Sequence, residues 1–409
     1  MTSAIMRILH VIPSVGPLRG GPSAILRAMA GGCARIGLKV DVATTDDNGR
    51  ERLDFSYSKP VVEDHVTYRY FPRQTKFYTF SWPLTRWLAE HIGEYDLVHI
   101  HALFSYAAIP AAYWAKQHGV PYVVRPLGVL NRWGMENRRR YLKGVSYCLI
   151  EKQILAGAAA VHYTSEQEKK EAEELGVRQK SVVIPNAVEI PHFSTNVRRG
   201  QFRTQYPRLS DRLVILFLSR LDPVKGLDIL LPAFAKLRAQ HPRAILVIAG
   251  EGESGFEKKL QQQASRLEIA SDIIWTGFLA GDQKWAALAD TDIFVLPSYS
   301  ESFGIAVVEA MASGTPVVVT DRVAIHREIS VARAGVVIPC KVEALAHAFA
   351  RLANDEHLRA EIGANGSGLA QTKFSPDAAA SSLLALYRQV LELSHKEVRV
   401  AVPANGARE

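Results

Sequence analysis

Cysteine is scarce in this chain of 409 residues, which contains only Cys33, Cys148 and Cys340. An odd number of widely separated cysteines, without the spacing of metal ligands, argues against a disulfide framework and favours a reducing, cytoplasmic setting. Long apolar runs are also lacking. The longest uncharged run near the middle of the chain, Ala102–Ala115, is shorter than the roughly 20 residues that a membrane-spanning helix needs.

The first residues, MTSAIMRILHVIPSV, lack the layout of a secretory signal peptide and predict a first strand. Hydrophobic residues make up 48% of the chain and charged residues 22%, which is ordinary for a globular protein. A length of 409 residues suggests two or three domains, each able to bury its own core. This composition agrees with a large soluble α/β enzyme.

Positive charge is in excess, with a net charge of +8 and a pI near 9.3. It concentrates between Arg125 and Lys152, where seven Lys or Arg residues face only Glu136 and Glu151. No aromatic–basic interleaving or known nucleic-acid module accompanies this cluster, so nucleic acid is not an expected partner. An anionic membrane surface and a solvated helix face are the two interpretations that stay open.

The most informative stretch is Asp292–Asp321, DIFVLPSYSESFGIAVVEAMASGTPVVVTD, which predicts strand, loop, helix and strand in that order. Ile293–Pro297 is a short apolar run, and Gly314-Thr315-Pro316 ends the helix before the next apolar run. Two glutamates lie between these runs. Glu301 falls in the loop, and Glu309 falls about one turn inside the helix.

The start of that helix predicts a ligand site. Unpaired backbone N–H groups at Phe303, Gly304 and Ile305 suit an anionic or polyhydroxyl ligand. Two carboxylates beside them can accept hydrogen bonds from sugar hydroxyls without proton transfer. Solvated charges at a helix start are the simpler alternative, which the position after the carboxyl end of a strand disfavours.

The stretch resembles the E-x7-E signature of the retaining glycosyltransferases of family 4, and its surroundings, PSYSESFGIAVVEAMASGTPVV, add specificity. The resemblance covers about residues 5 to 393. It implies the GT-B fold, an α/β architecture in which two Rossmann-like domains with parallel sheets face each other across a cleft. It also implies that Glu309 binds ribose hydroxyls, that Glu301 holds the donor sugar, and that Ser302 with Phe303–Ile305 lines the nucleotide site.

A basic motif follows the apolar run Leu213–Ser219. Arg220 and Lys225, in SRLDPVKGLDILLPAFAKL, lie in the loop at the carboxyl end of the predicted strand. Two cations there could clamp a diphosphate, Arg by its fork and Lys as a point charge, although simple surface charges are the alternative. The spacing R-x4-K-G is similar to the donor-phosphate motif of the family. The resemblance therefore implies that both residues neutralise the leaving diphosphate.

The first half of the chain matches the family more loosely. Gly20 and Gly21 follow the strand Arg7–Pro13, where a glycine-rich loop lets the backbone approach a ligand and a simple turn is the alternative. The loop is not G-x-G-x-x-G, so a dinucleotide fingerprint is absent. The resemblance implies that this glycine pair lies near the donor's phosphates and sugar. It also implies that His101, at the end of the strand Asp96–His101, contacts the donor sugar.

Other candidates come from strand ends and one loop. In the resembled proteins, base recognition falls near two strand ends of the second half, which here hold Gly250, Glu251, Thr276, Gly277, Phe278 and Leu279. The strand end and loop before residue 136 are expected to serve the acceptor through Arg125, Asn131, Arg132 and Trp133.

Asp290-Thr291-Asp292 spells D-x-D, the metal motif of a different glycosyltransferase fold. It lies between a helix end and a strand start, away from the expected ligand side, so we interpret it as turn and cap chemistry. We therefore expect neither a metal ion nor a cofactor.

The expected organisation has four parts. An N-terminal acceptor-binding domain covers residues 1–190, and a donor-binding domain covers residues 191–375. A helix over residues 376–395 crosses back to the first domain, and a disordered tail covers residues 396–409.

The resulting hypothesis is a retaining glycosyltransferase that moves a sugar from a UDP- or GDP-linked donor to a sugar or lipid-linked acceptor. Cell-surface or exopolysaccharide biosynthesis is the expected process, in the cytoplasm or peripherally on the inner face of the membrane. Electrostatic stabilisation of the departing nucleotide would be the main catalytic contribution. The alternatives are a sugar-nucleotide 2-epimerase of the same fold, a retaining glycosidase, and a non-catalytic nucleotide-sugar-binding protein.

Overall fold

A computed structural model describes residues 5–55, 57, 59–130, 140–190 and 199–401, with the backbone alone described at 140–142 and 395–401. The chain forms two compact units. The first unit comprises Met1–Glu189 and Pro376–Glu409, and the second unit comprises Ile190–Ser375. Each contains a parallel or mostly parallel β-sheet against which helices pack.

The first unit contains an eight-stranded sheet in the order β10-β9-β8-β7-β1-β2-β6-β5, in which only the β5–β6 pair is antiparallel. Since β1 has β2 on one side and β7 on the other, the order of the strands reverses between β1 and β7. Two further short strands, β3 and β4, pair as a separate ribbon. The strands are β1 (Arg7–Ser14), β2 (Lys39–Thr45), β3 (Asp47–Asn48), β4 (Glu51–Arg52), β5 (Val61–Glu63), β6 (Val66–Phe71), β7 (Leu97–His101), β8 (Tyr122–Arg125), β9 (Ala160–Tyr163) and β10 (Ser181–Val183).

In the described residues up to 190, six α-helices precede the second unit, and two of them are joined by one π-helical turn, Tyr147–Glu151. The sequence predicts a single regular helix over residues 137–155. The structure has a π-turn inside that stretch, and residues 137–139 lie outside the described part. The helices are α1 (Gly21–Arg35), α2 (Trp82–His91), α3 (Ala108–Gln117), α4 (Arg140–Ser146), α5 (Lys152–Ala156) and α6 (Glu166–Glu174).

The second unit contains a six-stranded, all-parallel sheet in the order β13-β12-β11-β14-β15-β16. Its central strands are continuous apolar runs because both faces are covered. The order of the strands reverses between β11 and β14, and ligands of such sheets bind at the carboxyl ends of the strands beside this switch point. The strands are β11 (Leu213–Leu218), β12 (Ala244–Ala249), β13 (Ile273–Gly277), β14 (Ile293–Leu296), β15 (Val317–Thr320) and β16 (Gly335–Ile338).

Eight α-helices follow in the described part of the second unit, residues 199–375, and the sequence pattern predicted no helix at α12 or α14. They are α7 (Gln201–Gln205), α8 (Leu227–Gln240), α9 (Ser254–Arg266), α10 (Gly281–Ala289), α11 (Ile305–Ala312), α12 (His326–Val331), α13 (Val342–Asn354) and α14 (Glu356–Lys373).

The glycines in α14 explain why the sequence pattern did not predict this helix, and they also explain how it packs. Glycine lowers helix propensity by about 1 kcal/mol relative to alanine, so the local pattern disfavours a helix. A methyl group on Gly363 would overlap the carbonyl oxygen of Gly314, just after α11. A Cβ on Gly366 would lie 3.3 Å from the side chain of Met311. The glycines therefore let α14 pack closely against the helix that carries Glu309.

The last helix, α15 (Pro376–Ala401), belongs to the first unit, where it packs against α1. Leu383 and Tyr387 are fully buried in that contact, and Arg35 pairs with Asp377 at 3.0 Å. The helix reaches into the segment 396–409 for which the sequence predicts disorder, and residues 402–409 lie outside the described part. Among the described residues, no helix combines the length and apolar character that crossing a membrane requires.

The contact of α14 can be tested with a matched pair of glycine substitutions. We expect Gly363→Ala to destabilise the second unit by about 1–3 kcal/mol, because the new methyl group forces backbone apart. Gly368→Ala, at a position of the same helix where a Cβ meets nothing within 4 Å, should instead stabilise it by about 0.5–1 kcal/mol. Urea denaturation measures both free energies of unfolding, and equal effects of the two substitutions would contradict this packing.

Candidate active site

The loops that follow β11 and β14 are joined by several contacts at the switch point of the second sheet. The backbone N–H of Tyr299 donates to the carbonyl of Val224 at 2.8 Å, and its hydroxyl donates to Asp228 at 2.7 Å. Gly226 has φ +72°, and a Cβ there would overlap the carbonyl of Pro297. Only glycine satisfies both the left-handed backbone and this close approach.

Lys225 and Glu301 form an ion pair between these two loops. The Lys225 Nζ lies 2.5 Å from the Glu301 Oε2, and the side chains are 11% and 16% exposed. The segment after β15 fixes Glu301 further, because its N–H donates to Arg322 O at 3.1 Å and its carbonyl accepts from Ala324 N at 2.9 Å. Removal of either partner would leave a largely buried charge without compensation, which is strongly unfavourable.

Helix α11 begins at Ile305, four residues after Glu301. Gly304 is its N-cap with φ +91°, and no side chain caps the helix. The first backbone N–H groups of an α-helix have no partner within the helix, so this terminus can bind an anion or hydroxyl groups. Phe303 is buried and packs edge-on against Phe374, whereas Ser302 is exposed.

Glu309, inside α11, has a lysine partner of its own. Lys284 of α10 places its Nζ 2.5 Å from the Glu309 Oε1. Burial raises the pKa of Glu309, and the charge and hydrogen bond of Lys284 oppose that rise. The sequence did not single out Lys284, since a lone lysine in GDQKWAAL matches no motif and its partner is 25 residues away.

Arg220 follows β11 and is exposed. Within the described part of the chain, its side chain forms no hydrogen bond or ion pair. The neighbouring loops are tied together by the backbone, because Leu221 N donates to Glu251 O at 2.9 Å and Gly250 N donates to Gly277 O at 2.8 Å. The candidate base-binding residues therefore lie at or just after the carboxyl ends of β12 and β13, at the same edge of the sheet as Arg220.

Side chains near those strand ends differ in exposure. Phe278 is 70% exposed, whereas Leu279 is buried. The Thr276 hydroxyl donates to the Gly277 carbonyl at 3.1 Å. An exposed aromatic ring at this edge offers a surface on which a planar base could stack.

The D-x-D triplet lies at the amino end of β14, and the prediction of cap chemistry is confirmed. The Asp290 carboxylate accepts hydrogen bonds from the N–H groups of Gly200, Phe202 and Arg203 at the start of α7. Asp292 pairs with Arg203 at 2.9 Å. Residues 193–211 are polar and charged without periodicity, which predicts a linker plus a short surface element. The structure has α7 in this range, anchored through Asp290 and the buried Phe202, and residues 191–198 lie outside the described part.

In the first unit, His101 ends β7 as predicted, and its side chain is fully buried. Its Nε2 lies 2.9 Å from the Nδ1 of His10. The Arg125 Nη1 lies 3.5 Å from the other ring nitrogen of His101, and Arg125 also donates to Asn186. The sequence predicted Arg125 on the acceptor side, but its guanidinium is wholly buried in this cluster and cannot contact an acceptor. Asn131, Arg132 and Trp133 lie outside the described residues.

The cluster continues through two more histidines. The Nδ1 of His99 lies 2.7 Å from the hydroxyl of Tyr387, and its Nε2 lies 3.3 Å from His162, which bonds to the carbonyl of Ile184 at 2.8 Å. Burial, with the nearby Arg125 charge, lowers the pKa of His10 and of His162 to about 3. These imidazoles are therefore uncharged at neutral pH, which lets them share hydrogen bonds in the core.

One group of three potential metal ligands occurs in the described part of the chain, with atoms of His10, His99 and His101 all within 4.8 Å of one another. The surroundings do not favour a metal ion. Several of the ring nitrogens already take part in hydrogen bonds, and the buried guanidinium of Arg125 would repel a second cation at low dielectric.

The glycine pair lies at the carboxyl end of β1. Gly20 has φ +71° and is the N-cap of α1, which begins at Gly21. Arg19 beside it is held by an ion pair with the buried Asp47, whose Oδ2 lies 2.5 Å from the Arg19 Nε. The sequence did not single out this arginine.

Comparison with known proteins agrees with this architecture. A family model described as "Glycosyl transferases group 1" matches residues 199–368, and one described as "Glycosyl transferase 4-like domain" matches residues 20–187. These ranges correspond to the second and first units, respectively.

Individual relatives extend the match. The D-inositol 3-phosphate glycosyltransferase of Streptomyces avermitilis is 27% identical over 93% of this chain and 85% of its own. The phosphatidyl-myo-inositol mannosyltransferase of Mycobacterium leprae is 31% identical over 77% of this chain and 78% of its own. The Anabaena HepE structure in complex with UDP and glucose superimposes with a TM-score of 0.73 at 22% identity, covering 94% of this chain and 100% of that one. The protein therefore belongs to the glycosyltransferases of family 4 and has the GT-B fold.

Proposed function

We propose that this glycosyltransferase moves a hexosyl unit from a nucleoside-diphosphate sugar to an acceptor hydroxyl and retains the anomeric configuration. The observation that carries the proposal is the meeting of Lys225, Glu301 and the start of α11 at the switch point of the second sheet. Cations and free amides at one strand edge match the diphosphate of such a donor, and the carboxylates match its hydroxyl groups.

The diphosphate is proposed to lie between Arg220 and Lys225. Arg220 is exposed and has no partner among the described residues, so its charge is available to a ligand. Lys225 has three N–H groups and gives one of them to Glu301. As the bond to the sugar breaks, negative charge grows on the departing phosphate oxygen. Fixed cations stabilise that charge without the reorganisation that water would need.

The two glutamates are proposed to bind hydroxyl groups of the donor, Glu309 those of the ribose and Glu301 those of the sugar. Each carboxylate uses one oxygen in its lysine pair, Oε1 of Glu309 and Oε2 of Glu301. The second oxygen of each remains an acceptor.

The donor is proposed to be UDP- or GDP-linked, and the acceptor a sugar or lipid-linked saccharide of cell-surface or exopolysaccharide biosynthesis. The neighbouring HepE structure holds UDP and glucose, and two relatives are named for inositol-containing acceptors. These names support, by likeness, the classes of donor and acceptor to test first.

Retention follows from the roles proposed for the carboxylates. Inversion needs a general base opposite the leaving group, but Glu301 and Glu309 are occupied by hydroxyls of the donor itself. His101 is buried and bonded through its Nε2 to His10. In front-face attack, the bond from C1 to the phosphate oxygen breaks, the bond from C1 to the acceptor oxygen forms, and the acceptor proton passes to the departing phosphate oxygen.

The first prediction of this proposal concerns the phosphate contacts. Arg220→Ala and Lys225→Ala should each weaken binding of the nucleoside diphosphate by about 1.5–3 kcal/mol, or roughly 10- to 150-fold in Kd, because each removes a charge-assisted contact. Isothermal titration calorimetry measures the change. Lys236→Ala is the control, since Lys236 lies in α8, the helix that follows this loop, and pairs with the exposed Glu343. Wild-type affinity in both folded variants would refute the phosphate site.

A second prediction is metal independence. Arg220 and Lys225 are proposed to supply the positive charge that a divalent ion supplies in other transferases, so excess EDTA should leave the rate of nucleotide release nearly unchanged. Activity that EDTA abolishes and Mg²⁺ or Mn²⁺ restores would contradict it.

A third prediction is stereochemical. An α-linked nucleotide sugar should give an α-linked product, because leaving group and acceptor occupy the same face of the sugar. The coupling constant of the anomeric proton in the first-formed product, measured by NMR, decides the outcome. A β-linkage from an α-linked donor would overturn the mechanism.

We also propose peripheral attachment to an anionic membrane surface through the region 125–152. In its described part, Val145 and Leu149 are exposed apolar residues and Lys152 is an exposed cation, a combination typical of interfacial helices. Arg132, Arg138 and Arg139 lie outside the described residues.

Attachment predicts salt-sensitive binding to vesicles. Vesicles containing phosphatidylglycerol should retain the protein at low salt and release it as ionic strength rises, because screening weakens attraction to the surface. Double substitution of Val145 and Leu149 by Ser should reduce retention. Equal retention on neutral phosphatidylcholine vesicles, or none on either, would contradict the proposal.

A further inference from the structure

Lys284 lies beside Glu309, the second glutamate of the E-x7-E motif, and no motif accounts for this lysine. It lies in the first turn of α10, which packs against α11. Its Nζ is 2.5 Å from the Glu309 Oε1, and the side chains are 22% and 11% exposed. The pair is thus shielded from most solvent screening, in contrast to an ordinary surface ion pair.

The two oxygens of Glu309 are in different environments. Oε1 receives the hydrogen bond from Lys284. Oε2 has no hydrogen-bond partner among the described residues, and this oxygen is not fully buried. Oε2 therefore reaches solvent and is free to accept hydrogen bonds from a ligand.

Burial by itself would work against that acceptor role. It raises the pKa of Glu309, and Lys284 is the charged group that lowers it. Helix α11 also packs against β14, β15 and α14, and Lys284 is the charged group that acts on the pKa of Glu309. A protonated carboxyl group would carry a hydrogen and lose acceptor capacity, and the Lys284 cation favours the carboxylate form.

We propose that Lys284 is a positioning residue for nucleotide binding, which holds Glu309 so that its Oε2 accepts hydrogen bonds from the ribose hydroxyls of the donor. The inference rests on the proposed function, in which Glu309 meets the ribose. It goes beyond that function by assigning a role to a residue outside the E-x7-E and R-x4-K-G motifs.

The alternative is an ion pair that only stabilises the contact between α10 and α11. The two roles differ in what they predict for ligands. A positioning role makes the effect of a Lys284 substitution depend on the presence of ribose hydroxyls, whereas a stabilising role affects all nucleotides alike.

The experiment measures the Kd of UDP and of 2′,3′-dideoxyuridine diphosphate for the wild type, Lys284→Met and Lys284→Arg by calorimetry. If GDP or ADP binds in place of UDP, that nucleotide and its dideoxy form are used. Lys284→Met should weaken UDP binding about tenfold and leave the dideoxy nucleotide within about twofold, since only UDP presents the hydroxyls. Lys284→Arg should restore most of the affinity for UDP, because it keeps the charge and the donor.

Two controls complete the design. Lys236→Met removes an exposed lysine that pairs with Glu343 and should change neither affinity. In Glu309→Gln, the addition of Lys284→Met should have no further effect on UDP binding, because the two residues act together. Lys284→Gln replaces Lys284→Met if the latter fails to fold, as judged by its melting temperature.

The outcomes are distinguishable. Equal weakening of both nucleotides by Lys284→Met, or no weakening of either, overturns the positioning role while nucleotide binding stands. A wild-type protein that binds none of UDP, GDP and ADP overturns the proposed function itself, and this inference with it.

Discussion

The ion pair between Lys225 and Glu301 is the interaction on which the arrangement of the candidate site depends. It joins the loops that follow β11 and β14, where the order of the strands reverses. Each side chain is largely buried, so neither charge is stable without the other. The pair also brings a cation and a carboxylate to the first turn of α11, whose amides lack partners within the helix. Three kinds of polar group therefore meet at one strand edge.

The two units use charge in different ways. In the second unit, lysines and glutamates form partly exposed pairs, and Arg220 adds a cation that has no partner in the described part of the chain. In the first unit, the buried histidines around His101 are uncharged, and burial lowers the pKa of Arg125 to about 10. Our proposed mechanism assigns electrostatic stabilisation of the departing diphosphate to the second unit. In the first unit, the histidine cluster ties α15 to the sheet through Tyr387.

The parts of the structure that follow from local pattern could be predicted. Buried parallel strands are continuous apolar runs, so β11 (Leu213–Leu218) and its neighbours were predicted close to their observed bounds. Features that depend on contacts between residues distant in the sequence could not be predicted. Helix α14 contains glycines that lower helix propensity but fit against α11. Lys284 could not be recognised because its role depends on its contact with Glu309. The burial of Arg125 depends on neighbouring strands that pack against it only in the folded sheet.

Hydrogen–deuterium exchange of the intact protein, with and without UDP, GDP or ADP, tests the central claim most directly. The account predicts that the nucleotide that binds will slow exchange of backbone amides in the loops 219–226 and 297–304 and in the first turn of α11, because the diphosphate and ribose are bound there. Binding that leaves these segments unchanged and protects other parts of the second unit, or the absence of binding by all three nucleotides, would contradict it.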